Sequence, residues 1–406
     1  MNVILIVGVI LFVGFIFGEL AKLVKLPKVT GYIIAGIVLN PDIFHIVPQG
    51  FTAHTDFVTN IALSFITFSV GGTLLGSKLK RLGKTILYIT IFEAEFAFFT
   101  VALGFLCLAH FFIHIPEASS LSTLIPLSML IAALASPTDP SATLAVIHEY
   151  KAKGEVSSTI MGVAALDDVL GIINYSFAVV IAGAVIMHQD INILIFLKRS
   201  LIVICGAVGL GIAFGIIFNY IFLFVKKETE GVFIVLIFGL LAICFGLATV
   251  LGVDELLATM TMGIVVVNFN RQRDKIFKML ERYTEELIFV LFFTLSAMHL
   301  ELSVLYSSFV LVLLFFVFRT LGKVIGTTAG AFLAKASAPV KKFTVGGLIP
   351  QGGIVVGLAL MMRQNPAFRD ISDIIINVII GATIVHELIG PLAAKTALQK
   401  AGELRQ

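Results

Sequence analysis

Three carboxylates lie inside two neighbouring apolar stretches of this 406-residue chain. Asp139 stands between prolines in Ser136-Pro137-Thr138-Asp139-Pro140, and Asp167-Asp168 interrupts the run from Thr159 to Val180. A charged side chain at the centre of a bilayer costs roughly 3 kcal/mol even on mild scales, so acids found there are candidates for ion or proton handling. Such an acid can hold a cation when ionised and a proton when neutral. Oxygen donors of this kind suit a dehydrated alkali cation, and the chain offers no clustered soft ligands.

These acids need walls that exclude water, and the composition supplies them. Hydrophobic residues make up 59% of the chain and charged residues 13%, with a mean hydropathy of +1.07, against about 25% charged residues in a soluble domain. The apolar runs are continuous rather than alternating, which excludes a membrane β-barrel and fits helices of about 20 residues. No basic block lies outside short loops, so nucleic acid is not a partner. Cys107, Cys205 and Cys244 lie in apolar segments without paired spacing, giving neither a disulfide framework nor a metal site. The first segment lacks a basic start and a cleavage site, so it is expected to remain as helix 1.

Apolar stretches at 3–21, 29–40, 57–76, 85–112, 121–147, 157–187, 198–225, 231–250, 254–269, 284–299, 303–334, 343–362 and 371–394 predict thirteen transmembrane helices in one membrane domain. Placing the amino terminus outside puts 22 of the 28 lysines and arginines in cytoplasmic links and four outside, with Arg319 and Lys323 inside helix 11. That asymmetry obeys the positive-inside rule and puts the carboxyl terminus in the cytoplasm. The basic link from Asn270 to Tyr283 is amphipathic, and reads either as a surface helix or as an extension of the next span.

Helix 5 is broken at Ser136 to Pro140, and helix 12 at Gly346 to Gly353, where Pro350-Gln351-Gly352-Gly353 interrupts the run. Unwound backbone survives at membrane depth only where protein or a wet cavity satisfies it. Each break falls in the fifth helix of one half, 1–6 or 8–13, with helix 7 as the connection. An odd connecting helix inverts the halves, and paired breaks in inverted repeats point to a transporter binding site.

Several runs together carry a resemblance: SPTDPSATLAVIHEYKAKG and the following ALDD, GYIIAGIVLNP in helix 2, GKVIGTTAGA in helix 11 and LIPQGGIVVGLAL in helix 12. The chain resembles the monovalent cation/proton antiporter superfamily, closest to its sodium/proton branch with a paired-aspartate helix. The resemblance implies an all-α inverted-repeat fold. Residues 1–76 and 231–299 would form a dimerisation scaffold, 85–187 and 303–394 an ion-transporting core, and 198–225 a linker helix. It further implies elevator-type alternating access and a homodimer in the bacterial inner membrane. Where the family often shows Gly-Leu-Glu at the end of helix 3, this chain has Gly71-Gly72-Thr73-Leu74.

Asp168 is the first choice for the carrier, because Ala164 and Gly171, one turn away, leave a carboxylate-sized space on its face. Asp167 lies about 100° around the helix and can face a break. In the family a second acid there accompanies electrogenic exchange. Asp139 sits among converging helix amino ends, where it either offsets their positive dipoles or ligates the cation with Thr138. Lys323, in the ladder Gly322, Gly326, Gly330, is by resemblance the helix 11 lysine that pairs with Asp168 until a cation arrives. Arg319 is one turn away, but lysine can lose its proton and arginine cannot. Glu93 or Glu95 and Gln351 are accessory candidates, with pairing of the glutamates to Arg319 as the plainer alternative. His386 beside Glu387 reads as a hydrogen-bonding residue or a pH sensor.

The function expected is antiport of sodium, or lithium, for protons through competition at Asp168, with no enzyme activity and no cofactor beyond the transported ions. The alternatives are a potassium/proton antiporter or potassium efflux system of the same fold, and a sodium-coupled organic anion symporter, which the acidic Asp139 opposes.

Overall fold

The two prolines of the first break decide where its helices stop. In a computed structural model of the chain, α5 (Ser120–Ala133) ends short of the break and α6 (Pro140–Glu149) starts on Pro140, with Asp139 as its cap. Proline at the first helical position loses nothing, since its N–H has no partner there.

The structure describes residues 3–41, 43, 47–48, 51, 55–108, 111, 120–187, 193–225, 230–298, 308–352, 355–356, 358–359, 362 and 366–404. Around α5 and α6 the order is α1 (Val3–Leu23), α2 (Lys28–Leu39), α3 (Asp56–Thr73), α4 (Gly76–Leu108), α7 (Glu155–Met187), α8 (Ile193–Val225), α9 (Glu230–Leu251) and α10 (Glu255–Phe269). There follow α11 (Arg273–Tyr283), α12 (Glu285–Met298), α13 (Phe309–Leu333), α14 (Ala338–Phe343) and α15 (Arg369–Lys400). All regular structure among the described residues is helical. Among the described residues seven helices are long and apolar enough to cross a membrane, and α2, α3, α5 and α10 are shorter apolar helices.

The helical segments among the described residues outnumber the thirteen spans, which stand, because the first break divides one span into α5 and α6 and the basic link folds as a separate helix, α11. Its apolar face turns onto the protein: Ile276, Met279 and Leu280 are buried, and Phe277 stacks on Phe68 of α3. The stretch expected as helix 12 is entered through α14 and runs as a 3₁₀ turn at Thr344–Leu348 and irregular backbone through Gly352. Gly353 lies outside the described residues.

Small residues set which helices touch. A Cβ on Gly322, Gly326 or Gly330 would fall within 2.2–2.6 Å of atoms of Thr100, Phe92 and Tyr88, so the α13 ladder presses directly on α4. That packing is of the small-xxx-small kind, and it brings Lys323 beside Glu93. On α7, Gly171 meets the Pro137 ring, where a Cβ would lie 2.4 Å away. Helices α4, α5, α7, α13 and α15 pack around the breaks, while α1, α2, α3, α10 and α12 pack with one another. Helix α8 touches α7 on one side and α9 and α10 on the other.

At the start of α7, the Glu403 carboxylate accepts hydrogen bonds from the N–H groups of Val156 (2.6 Å) and Ser157 (2.8 Å), and the Glu403 carbonyl accepts one from Lys153 (3.1 Å). A carboxylate suits the positive end of a helix. The end of α15 is thereby tied to the start of α7.

Candidate ion-binding site

Asp167 and Asp168 share α7 but face different surroundings. Asp167 is fully buried toward the first break, and Lys323 Nζ approaches its Oδ2 at 3.4 Å. Asp168 is partly exposed and lines a cavity of about 30 Å³ together with Pro137, Thr138, Asp139, Ser141 and Gly352. The opposite wall is Leu63, Ile66 and Thr67 of α3 with Leu256 and Met260 of α10. A volume above about 10–15 Å³ admits a water molecule, so a largely dehydrated small cation has room there. Asp168 Oδ1 has no hydrogen-bond partner.

Lys323 is completely buried, and its ammonium is saturated. It donates to the Ser136 carbonyl (2.7 Å) and to the Thr138 hydroxyl (2.6 Å), and forms ion pairs with Glu93 (2.7 Å) and Asp167 (3.4 Å). The resemblance implies a pair with Asp168; the structure instead holds Lys323 against the other aspartate and Glu93, because the glycine ladder seats α13 on α4. A cation at 2.7 Å with two acids close by recovers part of the desolvation cost that each charge pays alone.

Arg319 has a different task. Its guanidinium donates to the carbonyls of Ala135 (3.0 Å), Ile349 (2.8 Å), Pro137 (2.8 Å) and Pro350 (3.5 Å), two at or beside each break. The planar fork with five donors fits four divergent acceptors, which a lysine could not. Among the described residues it forms no ion pair with Glu93 or Glu95, so the plainer pairing weighed for these acids does not occur.

Asp139 is an amino-terminal cap. Its Oδ1 accepts from Ser141 N (2.8 Å) and from the Ser141 hydroxyl, while its own N–H donates to Pro350 O (3.1 Å). The same carboxylate edges the cavity, so dipole compensation and exposure to an incoming ion coexist. Gly352 permits this: a Cβ there would stand 2.4 Å from Asp139 Oδ2. Thr138 is turned to Lys323 through its hydroxyl, and Gln351 Nε2 donates to the Leu134 carbonyl (2.6 Å), bracing the first break from the second.

A family model described as "Sodium/hydrogen exchanger, transmembrane" matches residues 7–400. The chain belongs to that family. The exchanger is an integral membrane transporter of a monovalent cation and the proton, and not an enzyme. Two solved structures of the sodium proton antiporter MjNhaP1 from Methanocaldococcus jannaschii share its fold. The one at pH 8 has a TM-score of 0.72 at 20% identity over 98% of both chains. The other, an electron microscopy map, has 0.78 at 20% identity over 100% of both. No curated protein matches the sequence.

Four polar residues around the cavity and the breaks escaped sequence reasoning. Ser141 binds Asp139, and its signal was the Asp-Pro-Ser spacing of a cap. Asn174 donates to the Ser136 hydroxyl (2.9 Å), which donates to Ala94 O (3.1 Å). Asp167, Gly171 and Asn174 follow a four-three spacing, the mark of one helix face. Thr67 and Thr259 join their hydroxyls at 2.7 Å between α3 and α10 near the cavity; nothing in the chain pairs them before folding does.

Proposed function

We propose that the exchanger moves sodium, or lithium, against protons by competition at Asp168. One observation carries the reading: the tandem acids are divided, Asp167 held by Lys323 and Asp168 left on the cavity with a free oxygen. An ionised Asp168 with the Asp139 carboxylate and the Ser141 hydroxyl offers hard donors to a small cation. A protonated Asp168 does not, so the two ions exclude one another and their flows are coupled. The likeness to MjNhaP1, itself a sodium proton antiporter, supports the same choice.

The cavity lies where α6 and α7 meet α3 and α10. Elevator movement of a core (85–187, 303–394) along a scaffold (1–76, 231–299) would open it to one side and then the other. Electrogenic exchange follows if Lys323 gives up its proton when Asp167 also takes part. Homodimerisation through the scaffold, and an external amino terminus in a bacterial inner membrane, belong to the same proposal and rest on the resemblance and the basic-residue asymmetry.

The test is sodium-driven proton movement in vesicles containing purified protein. Asp168→Asn is expected to abolish it, and Asp167→Asn to leave a reduced flux. Full activity in Asp168→Asn would overturn the assignment.

A further inference from the structure

A further acid inside the spans has no part in the scheme above. Glu387 of α15 is 4% exposed. Its Oε1 accepts a hydrogen bond from the Ser296 hydroxyl of α12 at 3.2 Å, and its Oε2 is buried with no partner. Among the described residues no cation pairs with it.

Counted along its helix from the Glu403 tether, Glu387 stands as many residues in as Asp168 does. Glu155 to Asp168 on α7 and Glu387 to Lys400 on α15 are each thirteen residues, about 20 Å of helix. Glu403 binds the start of α7 to the end of α15, so both distances are measured from one level. Near Glu387 on the same helix, Gly390 packs on Pro350, where a Cβ would stand 2.7 Å from the ring. Glu387 thus flanks the second break as Asp167-Asp168 flank the first.

The charged groups around it are few. On α6, which packs against α15, Asp139 caps the amino end and His148 pairs with Glu285 of α12. Arg319 and Lys323 of α13 spend their donors on the two breaks, Glu93 and Asp167. His386, its neighbour, turns its ring to Phe315 and Phe316 and engages the Ala382 carbonyl. On α2, Lys28 is held at the far end by Glu19 and Glu286, and α5 brings no charged residue.

An ionised carboxylate with one oxygen bare and no cation is costly to bury; a carboxylic acid is far less so. Ser296 belongs to the proposed scaffold and Glu387 to the proposed core, so relative movement breaks their hydrogen bond. We infer that Glu387 is a second proton-binding station of the exchanger, facing α12 while Asp168 faces α3 and α10. It holds a proton while against Ser296. When the core moves and water reaches it, the O–H bond breaks and the proton passes to that water, with no other reactant needed. This deepens the antiport reading and rests on it.

The experiment uses the full chain in proteoliposomes. It measures the proton-to-sodium ratio from the voltage at which flux reverses, and the infrared band of protonated carboxyl groups. Glu387→Gln is expected to exchange with one proton fewer per cation and to lose an acid band that Asp168→Asn retains; Glu387→Asp is expected to restore the ratio with a displaced pH profile. An unchanged ratio and band in Glu387→Gln overturns the inference. Should Glu387→Gln fail to assemble, Glu387→Asp decides: a displaced profile at the wild-type ratio supports the station, and an unchanged profile overturns it. Wild-type protein without sodium-driven proton movement would instead overturn the antiport reading.

Discussion

At the first break, from Ser136 to Asp139, the unwound carbonyls meet two cations and the side chains include an acid that caps α6. At the second, from Ile349 to Gly352, the carbonyls meet Arg319 and the Asp139 N–H, and Gly352 is there to leave space. The repeats therefore share an interruption but divide its duties: the first carries an acid, and the second supplies backbone and room. Both are secured from α13, a helix of the second repeat. One arginine thus holds both breaks, and one lysine beside it neutralises acids from α4 and α7.

The sharpest way to break this division is to remove the shared arginine. Arg319→Ala would strand carbonyls in both breaks at once and is expected to cost about 5 kcal/mol, with Arg319→Lys restoring little, as read by thermal unfolding in detergent. Lys323→Met touches only the first break. It leaves Glu93 and Asp167 without a cation, an expected loss of about 3–5 kcal/mol, and adding Glu93→Gln should recover part of it. If Lys323→Met proves as stable as wild type, the two breaks are not electrostatically different.

Smaller changes sharpen the comparison. Gly352→Ala puts a methyl group against Asp139 and is expected to cost about 1–3 kcal/mol and to weaken apparent sodium affinity, whereas a neutral result would show that the second break does not fix that carboxylate. Ser141→Ala removes one of two donors to Asp139, for about 1–2 kcal/mol, detectable as a modest fall in sodium affinity. The smallest effect is expected where α6 ends: His148 pairs with Glu285 of α12 and is charged only when protonated. His148→Gln keeps a neutral donor for Glu285 and should alter stability by about 1 kcal/mol. It should remove the part of the flux–pH curve in which this pair weakens as pH rises.

Much of this arrangement is written locally and could be read in the chain. Proline spacing located the first break, and the Gly322, Gly326, Gly330 ladder announced a close contact; lone acids in apolar runs marked α7. What could not be read is which partner each feature meets. The ladder does not name α4, so the Lys323–Glu93 pair emerges only when the helices dock, and Lys323 goes to Asp167 rather than Asp168. Arg319 looked like a rival base, since a count of charges cannot show that four carbonyls from two distant segments converge on it. The link at 270–283 was ambiguous because an amphipathic pattern fits lipid and protein alike; Phe68 settles which surface Phe277 prefers.

The tether at Glu403 makes the carboxyl-terminal segment a handle on the aspartate helix. Whatever grips that segment, whether a support, a fused reporter or another protein, grips α7 at its base. Anchoring the exchanger there is expected to slow turnover in proportion to how rigid the anchor is, while an anchor on α1 is expected to leave turnover unchanged.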